Sequence, residues 1–211
     1  MVERQPQGLR ERKKLRTRHS LCEAAMRLFH HKGYEETTVA EIAAAVDVST
    51  RTFFSYFASK EDVVFHDTRA RAQQALALIA AREPGEPVAA LLTRVADAIL
   101  TLDPVEGDLV LRMMPERSGI IREVPALQAR ALHLLFEFQR ELAGALHEAY
   151  GGELDHVEAA TAIGAFIGGA KLAATVTMDH GGSPEQVVAA AHRAAELAIS
   201  GLQGLGHQDS P

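Results

Sequence analysis

Apolar residues recur at helical spacing along most of the chain, with alanine and leucine dominant and few clusters of β-branched residues. This pattern predicts an all-α protein of about nine helices. Its most informative stretch covers residues 37–61, where polar capping residues punctuate short apolar runs. The stretch predicts two short helices and the start of a third.

The polar residues of this stretch predict where its helices begin and turn. Thr38 and Glu41 have the spacing of a capping box at the start of the first short helix. Asp47 follows at a point where a left-handed residue would turn the chain, a conformation that Asp tolerates better than most residues. Ser49 can cap the second helix and Ser59 the third. A helix, a tight turn and a second helix form the helix-turn-helix pattern, whose second helix enters the major groove of DNA.

Longer helices are predicted on both sides of this stretch. The first covers about residues 9–32 and carries Cys22 as a small core residue. Beyond residue 59, the pattern predicts helices over about 60–82, 87–102, 103–114, 124–150, 154–179 and 184–202, with an irregular segment at 116–123 and a disordered tail from 204. We expect no apolar run long enough to cross a bilayer.

Composition favours a folded protein of the cytoplasm. Of the 211 residues, 47% are hydrophobic, which is enough for a real core. The single cysteine excludes an internal disulfide and fits a reducing compartment. The N-terminus is polar and basic and lacks an apolar h-region, so we expect no secretory signal.

The charge is divided unevenly along the chain, although the net charge of -6 by itself argues against nucleic acid. Residues 1–60 hold 11 Lys and Arg against 7 Asp and Glu (11 − 7 = +4), whereas residues 61–211 hold 11 against 21 (11 − 21 = −10). A basic N-terminal part suggests that one end of the protein meets phosphate. The basic segment 1–16, which includes Lys13 and Lys14, is either a solvated tail or an arm that contacts DNA.

A set of residues between about 15 and 62 carries a family resemblance. The set comprises Ala24, Ala25, Phe29, Gly33, Tyr34, Thr37, Thr38, Ile42, Ala43, Val48, Ser49, Thr52, Phe53, Tyr56, Phe57, Ser59, Lys60 and Glu61. At these positions the chain resembles the TetR/AcrR family of bacterial transcriptional repressors. The resemblance implies a three-helix DNA-binding domain over residues 1–57, followed by a helical effector-binding and dimerisation domain over residues 58–211.

The resemblance also implies roles for single residues. Thr38, at a helix N-terminus, would donate to a phosphate. Thr50 and Arg51 would face base edges, and Tyr56 and Lys60 would hold backbone phosphates. The full set of candidate DNA-binding residues is Lys13, Lys14, Thr38, Ser49, Thr50, Arg51, Phe54, Tyr56 and Lys60.

Three positions in the helix-turn-helix depart from the usual family pattern. Asp47 replaces a glycine in the turn, and Phe54 replaces a frequent tyrosine, so its ring would contact a thymine methyl instead of a phosphate. Arg51 stands where many members have glycine, and a bidentate contact to guanine would give about 1–3 kcal/mol of discrimination. The run from Arg51 to Phe57 resembles a subgroup containing the mycofactocin-system regulator, whose members respond to acyl-coenzyme A.

The helices behind this domain carry large or flexible apolar side chains beside Ala and Gly, which permits an effector pocket but does not require one. A plain core is the alternative. The candidate ligand-binding residues are Phe65, Leu92, Ile99, Met113, Met114, Leu134 and Phe138.

Small residues near the C-terminus indicate close helix packing, either in the core or across a dimer. Gly164 and Gly168 have a GxxxG spacing, which is weak evidence by itself in a soluble chain. The resemblance implies a homodimer formed through the last two helices, with candidate interface residues Gly164, Ile167, Gly168, Ala191, Ala195 and Ala198. A dimer is also expected because one helix-turn-helix reads few bases, whereas a two-fold pair reads half-sites about 34–36 Å apart.

Other chemistry finds little support in the sequence. The ten histidines form no metal motif, and we find no catalytic constellation or phosphate-binding loop, so we expect no metal, no cofactor and no enzyme. The sequence favours a dimeric repressor that binds a pseudo-palindromic operator and is released by a small, largely apolar effector. The alternatives are a ligand-insensitive architectural DNA-binding protein and a small-molecule-binding helical protein or enzyme.

Overall fold

The computed structural model describes residues 9–100, 107–151 and 153–202, and the side chains of residues 12–100, 113–151 and 153–202. The described ranges form ten helices: α1 Leu9–Lys32, α2 Val39–Ala44, α3 Thr50–Phe54, α4 Lys60–Val64, α5 Thr68–Ala80, α6 Val88–Leu100, α7 Gly107–Glu123, α8 Pro125–Tyr150, α9 His156–Asp179 and α10 Pro184–Ser200. The all-α prediction is confirmed. The predicted start of a helix at Asp103, the first eight residues of the basic segment and the tail from 204 lie outside the described residues.

The first compact unit comprises residues 1–66 and 113–129. It contains α1 to α4, whose apolar residues meet in one core. The buried residues include Leu21, Cys22, Ala25, Phe29, Ile42, Ala43, Phe53, Phe57, Val63 and Val64. Cys22 is fully buried, as predicted for a core residue. The unit continues beyond residue 57 because Val63 and Val64 of α4 supply part of its core.

The second compact unit comprises residues 67–112 and 130–211. Its core is formed by α5, α6, α8, α9 and α10. At one end, the guanidinium of Arg82 lies 3.9 Å from the ring centroid of Tyr150 and donates to the carbonyl of Ala149 at 3.0 Å. The Tyr150 hydroxyl donates to the carbonyl of Glu86 at 2.9 Å. These contacts fasten the turn after α5 to the end of α8.

The prediction of one helix over residues 60–82 is wrong, because α4 ends at Val64 and α5 begins at Thr68. A side chain distant in sequence contributes to the break. Arg18 of α1 donates to the carbonyl of His66, and Nδ1 of His66 lies 3.1 Å from the carbonyl of Val63. Both carbonyls would be paired internally in a continuous helix, so these contacts favour the break.

The prediction of a helix end near Met114 and Pro115, with an irregular segment at 116–123, is also wrong. Helix α7 continues through Pro115 to Glu123. Proline removes one backbone donor and costs about 3 kcal/mol inside a helix. Met113 and Ile120, seven residues apart and therefore on the same helix face, are 7% and 6% exposed. Their burial in the first unit offsets the cost of the proline.

Helix α9 contradicts the expectation that no segment is long and apolar enough to cross a bilayer. Its 24 residues meet that criterion by length and composition alone. The core helix of a soluble protein meets the same criterion, and α9 has Ala159, Ile163 and Phe166 buried in the second unit. The helix begins two residues later than predicted because Asp155 caps it, accepting from two backbone amides at 2.7 and 2.8 Å.

Candidate DNA-binding interface

The capping box predicted at Thr38 is present at the N-terminus of α2. The amide of Glu41 donates to Oγ1 of Thr38 at 3.3 Å, and the amide of Thr38 donates to Oε2 of Glu41 at 2.9 Å. The Thr38 hydroxyl also donates to the same carboxylate oxygen at 2.8 Å. To donate to a phosphate, as the family resemblance implies, this hydroxyl would have to leave Glu41.

An ion pair joins the end of α1 to α2. Nζ of Lys32 lies 2.5 Å from Oε1 of Glu41. The hydrogen bond from Lys32, followed by those from the backbone and side chain of Thr38, lowers the pKa of Glu41 from 4.5 to about 2. Glu41 therefore stays charged at neutral pH and fixes the side chains at the start of α2.

The turn between α2 and α3 is closed by backbone hydrogen bonds. The amides of Asp47 and Val48 donate to the carbonyls of Ala44 and Ala43 at 3.1 and 3.0 Å. Asp47 has a φ of 55°, so the left-handed conformation predicted for this residue is confirmed. The turn is therefore preserved although Asp47 replaces the glycine that is usual in the family.

Replacing Asp47 by alanine is expected to destabilise the protein by about 1 kcal/mol, because a Cβ without a local hydrogen-bonding group is disfavoured in the left-handed region. Asp47→Gly is the matched control and should stay within about 0.5 kcal/mol of the wild type, since glycine adopts the conformation freely but loses more entropy on folding. Urea unfolding followed by circular dichroism measures both changes. Equal stability of the two variants would contradict the prediction.

Helix α3 presents two kinds of side chain. Its cap is Ser49, whose hydroxyl accepts from the amide of Thr52 at 3.1 Å. Phe53 points inward and is fully buried, with its ring centroid 5.4 Å from that of Phe57. The three residues Thr50, Arg51 and Phe54 remain exposed, Phe54 to 55%. A buried Phe53 thus anchors the helix while its neighbours are free to contact a partner.

The remaining candidate DNA-binding residues of this unit differ in solvent exposure and in their hydrogen bonds. Lys13 and Lys14 are exposed on α1, and Tyr56 is half-buried after α3. The side chain of Lys60 is only 23% exposed and donates to backbone carbonyls of the turn before α2. Sequence reasoning missed these contacts of Lys60, because the groups involved are more than 20 residues apart.

Comparison with known proteins places this helix-turn-helix in a family. A family model described as bacterial regulatory proteins of the tetR family matches residues 21–66. The HTH-type transcriptional regulator TcmR of Streptomyces glaucescens is 39% identical over 156 residues, which cover 70% of this chain and 66% of TcmR. The chain belongs to the TetR family.

Two further comparisons concern the helix-turn-helix part and the fold. The HTH-type transcriptional regulator HbdR of Aromatoleum sp. (strain CIB) is 42% identical over 48 residues, which cover 23% of this chain and 21% of HbdR. A crystal structure of a TetR-family regulator from Mesorhizobium loti MAFF303099 has 18% identity and a TM-score of 0.58, covering 90% of this chain and 96% of that chain. The similarity to this crystal structure supports the fold alone.

The TetR-family assignment confirms two predictions made from the residues: that the protein is a DNA-binding regulator of transcription, and that it is not an enzyme. This chain spans 66% of the length of TcmR, so the match does not extend over all of that relative.

The residues predicted to bind an effector are divided between the two units of this TetR-family chain. Phe65, Met113 and Met114 belong to the first unit. In the second unit, Leu92 is buried in the core, and Ile99 and Phe138 pack against it. Leu134 is half-buried in the same unit. Their role in ligand binding stays a prediction.

Three of the predicted dimer residues lie inside the chain's own core. Ile167, Ala191 and Ala195 are 8%, 7% and 1% exposed and belong to the core of the second unit. The others, Gly164, Gly168 and Ala198, are half-buried.

A different stripe on α9 is exposed to solvent at every position except the half-buried Gly168. Its members follow one another at three or four residues and are Val157, Thr161, Ala165, Gly168, Leu172 and Val176. Leu172 is 65% exposed and Val176 47%, and Leu197 on α10 is 66% exposed. Of the stripe residues and Leu197, only Gly168 was predicted from the sequence, although the apolar residues of the stripe recur at helical spacing.

Proposed function

We propose that this TetR-family regulator binds a pseudo-palindromic operator as a homodimer and represses transcription in the cytoplasm. The observation that carries the proposal is the presentation of α3. Phe53 is fully buried, whereas Thr50, Arg51 and Phe54 are exposed on a helix that follows a capped turn. A recognition helix requires this division, because it must be held rigidly by the protein and still reach base edges.

The uneven charge supports the same proposal. The balance of +4 over residues 1–60 favours approach of that part of the chain to phosphate, and the balance of −10 over residues 61–211 disfavours approach of the rest. Lys13 and Lys14 are exposed on α1, and we assign them to phosphate contacts. Tyr56 and Thr38 are proposed as further backbone contacts that set the register.

The exposed stripe on α9 supports a homodimer. Its apolar side chains lie on a helix whose opposite face already packs in the core, and Leu197 of the neighbouring α10 is also exposed. A second copy related by a two-fold axis would cover this face with the same residues. We therefore propose that the last two helices form the interface, through this stripe more than through the buried small residues.

A small, largely apolar effector is proposed to release the operator, with an acyl-coenzyme A as one chemical candidate. Support comes from the apolar side chains of α6 and α8 in the second unit, among them Leu92, Ile99 and Phe138. An effector can act only by binding more tightly to the state that misfits the operator. A protein insensitive to effectors would bind DNA in the same way and would lack this response.

The proposed function is tested by selecting duplexes from a randomised pool with the full-length protein. We expect enrichment of a site with two inverted half-sites about 10 base pairs apart, or a multiple of that spacing. Affinity should fall steeply with salt, because each phosphate contact contributes about 0.9 to the slope of log K against log salt. Enrichment of no sequence, with salt-dependent binding retained, would indicate an architectural protein, and absence of binding would contradict a DNA-binding role.

A further inference from the structure

One carboxylate at the start of α2 accepts hydrogen bonds from both sides of the turn that joins α1 to α2. Oε2 of Glu41 accepts from the amide of Thr38 at 2.9 Å and from its hydroxyl at 2.8 Å. Oε1 of the same side chain lies 2.5 Å from Nζ of Lys32, the last residue of α1. The amide and hydroxyl of Thr38 and the ammonium of Lys32 therefore meet on a single carboxylate.

Negative charge is concentrated around Thr38, the residue proposed to meet an operator phosphate. Glu35 and Glu36 precede it in the turn and are exposed, and Glu41 is hydrogen-bonded to it. A phosphate that accepts from the Thr38 hydroxyl comes close to Glu41, since both anions use the same hydroxyl. Like charges placed side by side at an interface cost binding free energy. An unpaired carboxylate at Glu41 would therefore oppose the phosphate contact of Thr38.

Lys32 places a positive charge directly beside this carboxylate. Its hydrogen bond is the largest cause of the lowered pKa of Glu41, ahead of the two hydrogen bonds from Thr38. The side chains of Lys32 and Glu41 are both partly exposed, so the pair is accessible from solvent. The ammonium and the Thr38 hydroxyl use different oxygens of Glu41. When the hydroxyl turns to a phosphate, the carboxylate therefore keeps its cation.

We propose that Lys32 is a positioning residue of the operator interface, which keeps the carboxylate of Glu41 paired so that Thr38 can donate to a phosphate without repulsion from Glu41. Lys32 acts through Glu41 and is not itself a phosphate ligand. The assignment rests on the proposed function, because it requires Thr38 to meet DNA. It extends that function by explaining how a glutamate that caps α2 is made compatible with an anionic partner.

A double-mutant cycle in the full-length protein tests this role, with the wild type, Lys32→Met, Glu41→Gln and the double variant. The probe is the duplex that the wild type selects from a randomised pool. Lys32→Met leaves the carboxylate of Glu41 unpaired in both half-sites, so we expect about tenfold weaker binding. Glu41→Gln keeps the capping box and removes the charge. In that background the charge of an exposed lysine is screened by salt, so adding Lys32→Met should cost less than about twofold.

The cycle distinguishes a residue that acts through Glu41 from a direct phosphate ligand. A direct contact is lost whichever residue stands at position 41, so an equal loss from Lys32→Met in both backgrounds would overturn the proposal. Binding of Lys32→Met equal to that of the wild type would overturn it too. Lys13→Ala, at a proposed direct contact, is the matched control and should cost the same factor with and without Glu41→Gln. A wild type that selects no duplex would instead contradict the proposed function, and this assignment with it.

Two further measurements test whether Lys32 has a merely structural role. Lys32→Arg keeps a positive charge that can pair with Glu41, so it should bind within about threefold of the wild type. In the free protein, the amides of residues 39–44 should exchange within about twofold of the wild-type rate after Lys32→Met, because Thr38 and Glu41 form the capping box by themselves. Weaker binding of Lys32→Arg, or much faster exchange at 39–44 in Lys32→Met, would overturn the proposal.

Discussion

Leu172→Asp is expected to convert the protein from a dimer of twice 22.8 kDa into a monomer of 22.8 kDa. Leu172 is 65% exposed in the protomer, and Val176, one turn further along α9, is 47% exposed. A carboxylate at this position is solvated in the monomer but must be desolvated in an apolar interface, which costs several kcal/mol. Two-fold symmetry places the substitution in the interface twice. Light scattering after size-exclusion chromatography measures the mass.

Leu132→Asp is the matched control for this prediction. Leu132 on α8 is 67% exposed, almost the same as Leu172, but it lies outside the last two helices. We expect the mass of Leu132→Asp to remain that of the dimer, and its helical content by circular dichroism to match that of Leu172→Asp if both variants are folded. A dimeric Leu172→Asp protein would refute the α9 stripe as the interface. Dissociation of both variants would show that α8 takes part as well.

Loss of the dimer should also reduce operator affinity. A monomer engages one half-site and loses the effective concentration that tethers the second helix-turn-helix. We expect binding of Leu172→Asp to the selected duplex to be at least a hundredfold weaker, and to become indifferent to the presence of the second half-site. Equal discrimination between full site and half-site by this variant and the wild type would contradict the link between dimer and operator.

The helix-turn-helix could be predicted from the sequence because its determinants are local. Thr38 and Ser49 cap helices through amides three residues away, and Asp47 turns the chain with its own backbone. Each signal needs only a few neighbouring residues to be interpreted. The helix starts, the left-handed turn and the buried Phe53 therefore agree with the pattern of residues 37–61.

The errors in the fold arise where distant residues decide the outcome. The break between α4 and α5 depends on Arg18, which is 48 residues before His66. The continuation of α7 through Pro115 depends on burial of Met113 and Ile120. Helical periodicity predicts neither feature, because it shows which residues are apolar but not which residues they contact in the folded protein.

The candidate site was predictable to a similar extent. The residues that face solvent on α3 follow from the caps, whereas the contacts of Lys60 with the turn before α2 do not. On α9, small residues suggested an interface, but Ile167 is only 8% exposed because it lies in the core of the second unit. Which face of a helix is open depends on the neighbouring helices, and that requires the tertiary structure.

Arg51→Ala is expected to weaken binding to the selected operator and to relax specificity at one base-pair position of each half-site. Arg51 is exposed on α3, immediately after Thr50 and before the buried side of the helix. A guanidinium that binds O6 and N7 of guanine gives about 1–3 kcal/mol of discrimination per contact. Two half-sites double the effect, so we expect a loss of about 2–6 kcal/mol in binding free energy. Titration of duplexes carrying each of the four base pairs at each position measures both quantities.

Two further variants separate recognition of a base from attraction to phosphate. Arg51→Lys keeps the positive charge but loses the bidentate geometry, so its preference for guanine should weaken while its salt dependence is retained. Lys14→Ala, on exposed α1, should weaken binding to all duplexes by the same factor and lower the salt slope. Arg51→Ala should instead weaken binding strongly for the preferred duplex and only slightly for the others. If Arg51→Ala keeps the wild-type preference at every position, Arg51 does not read a base.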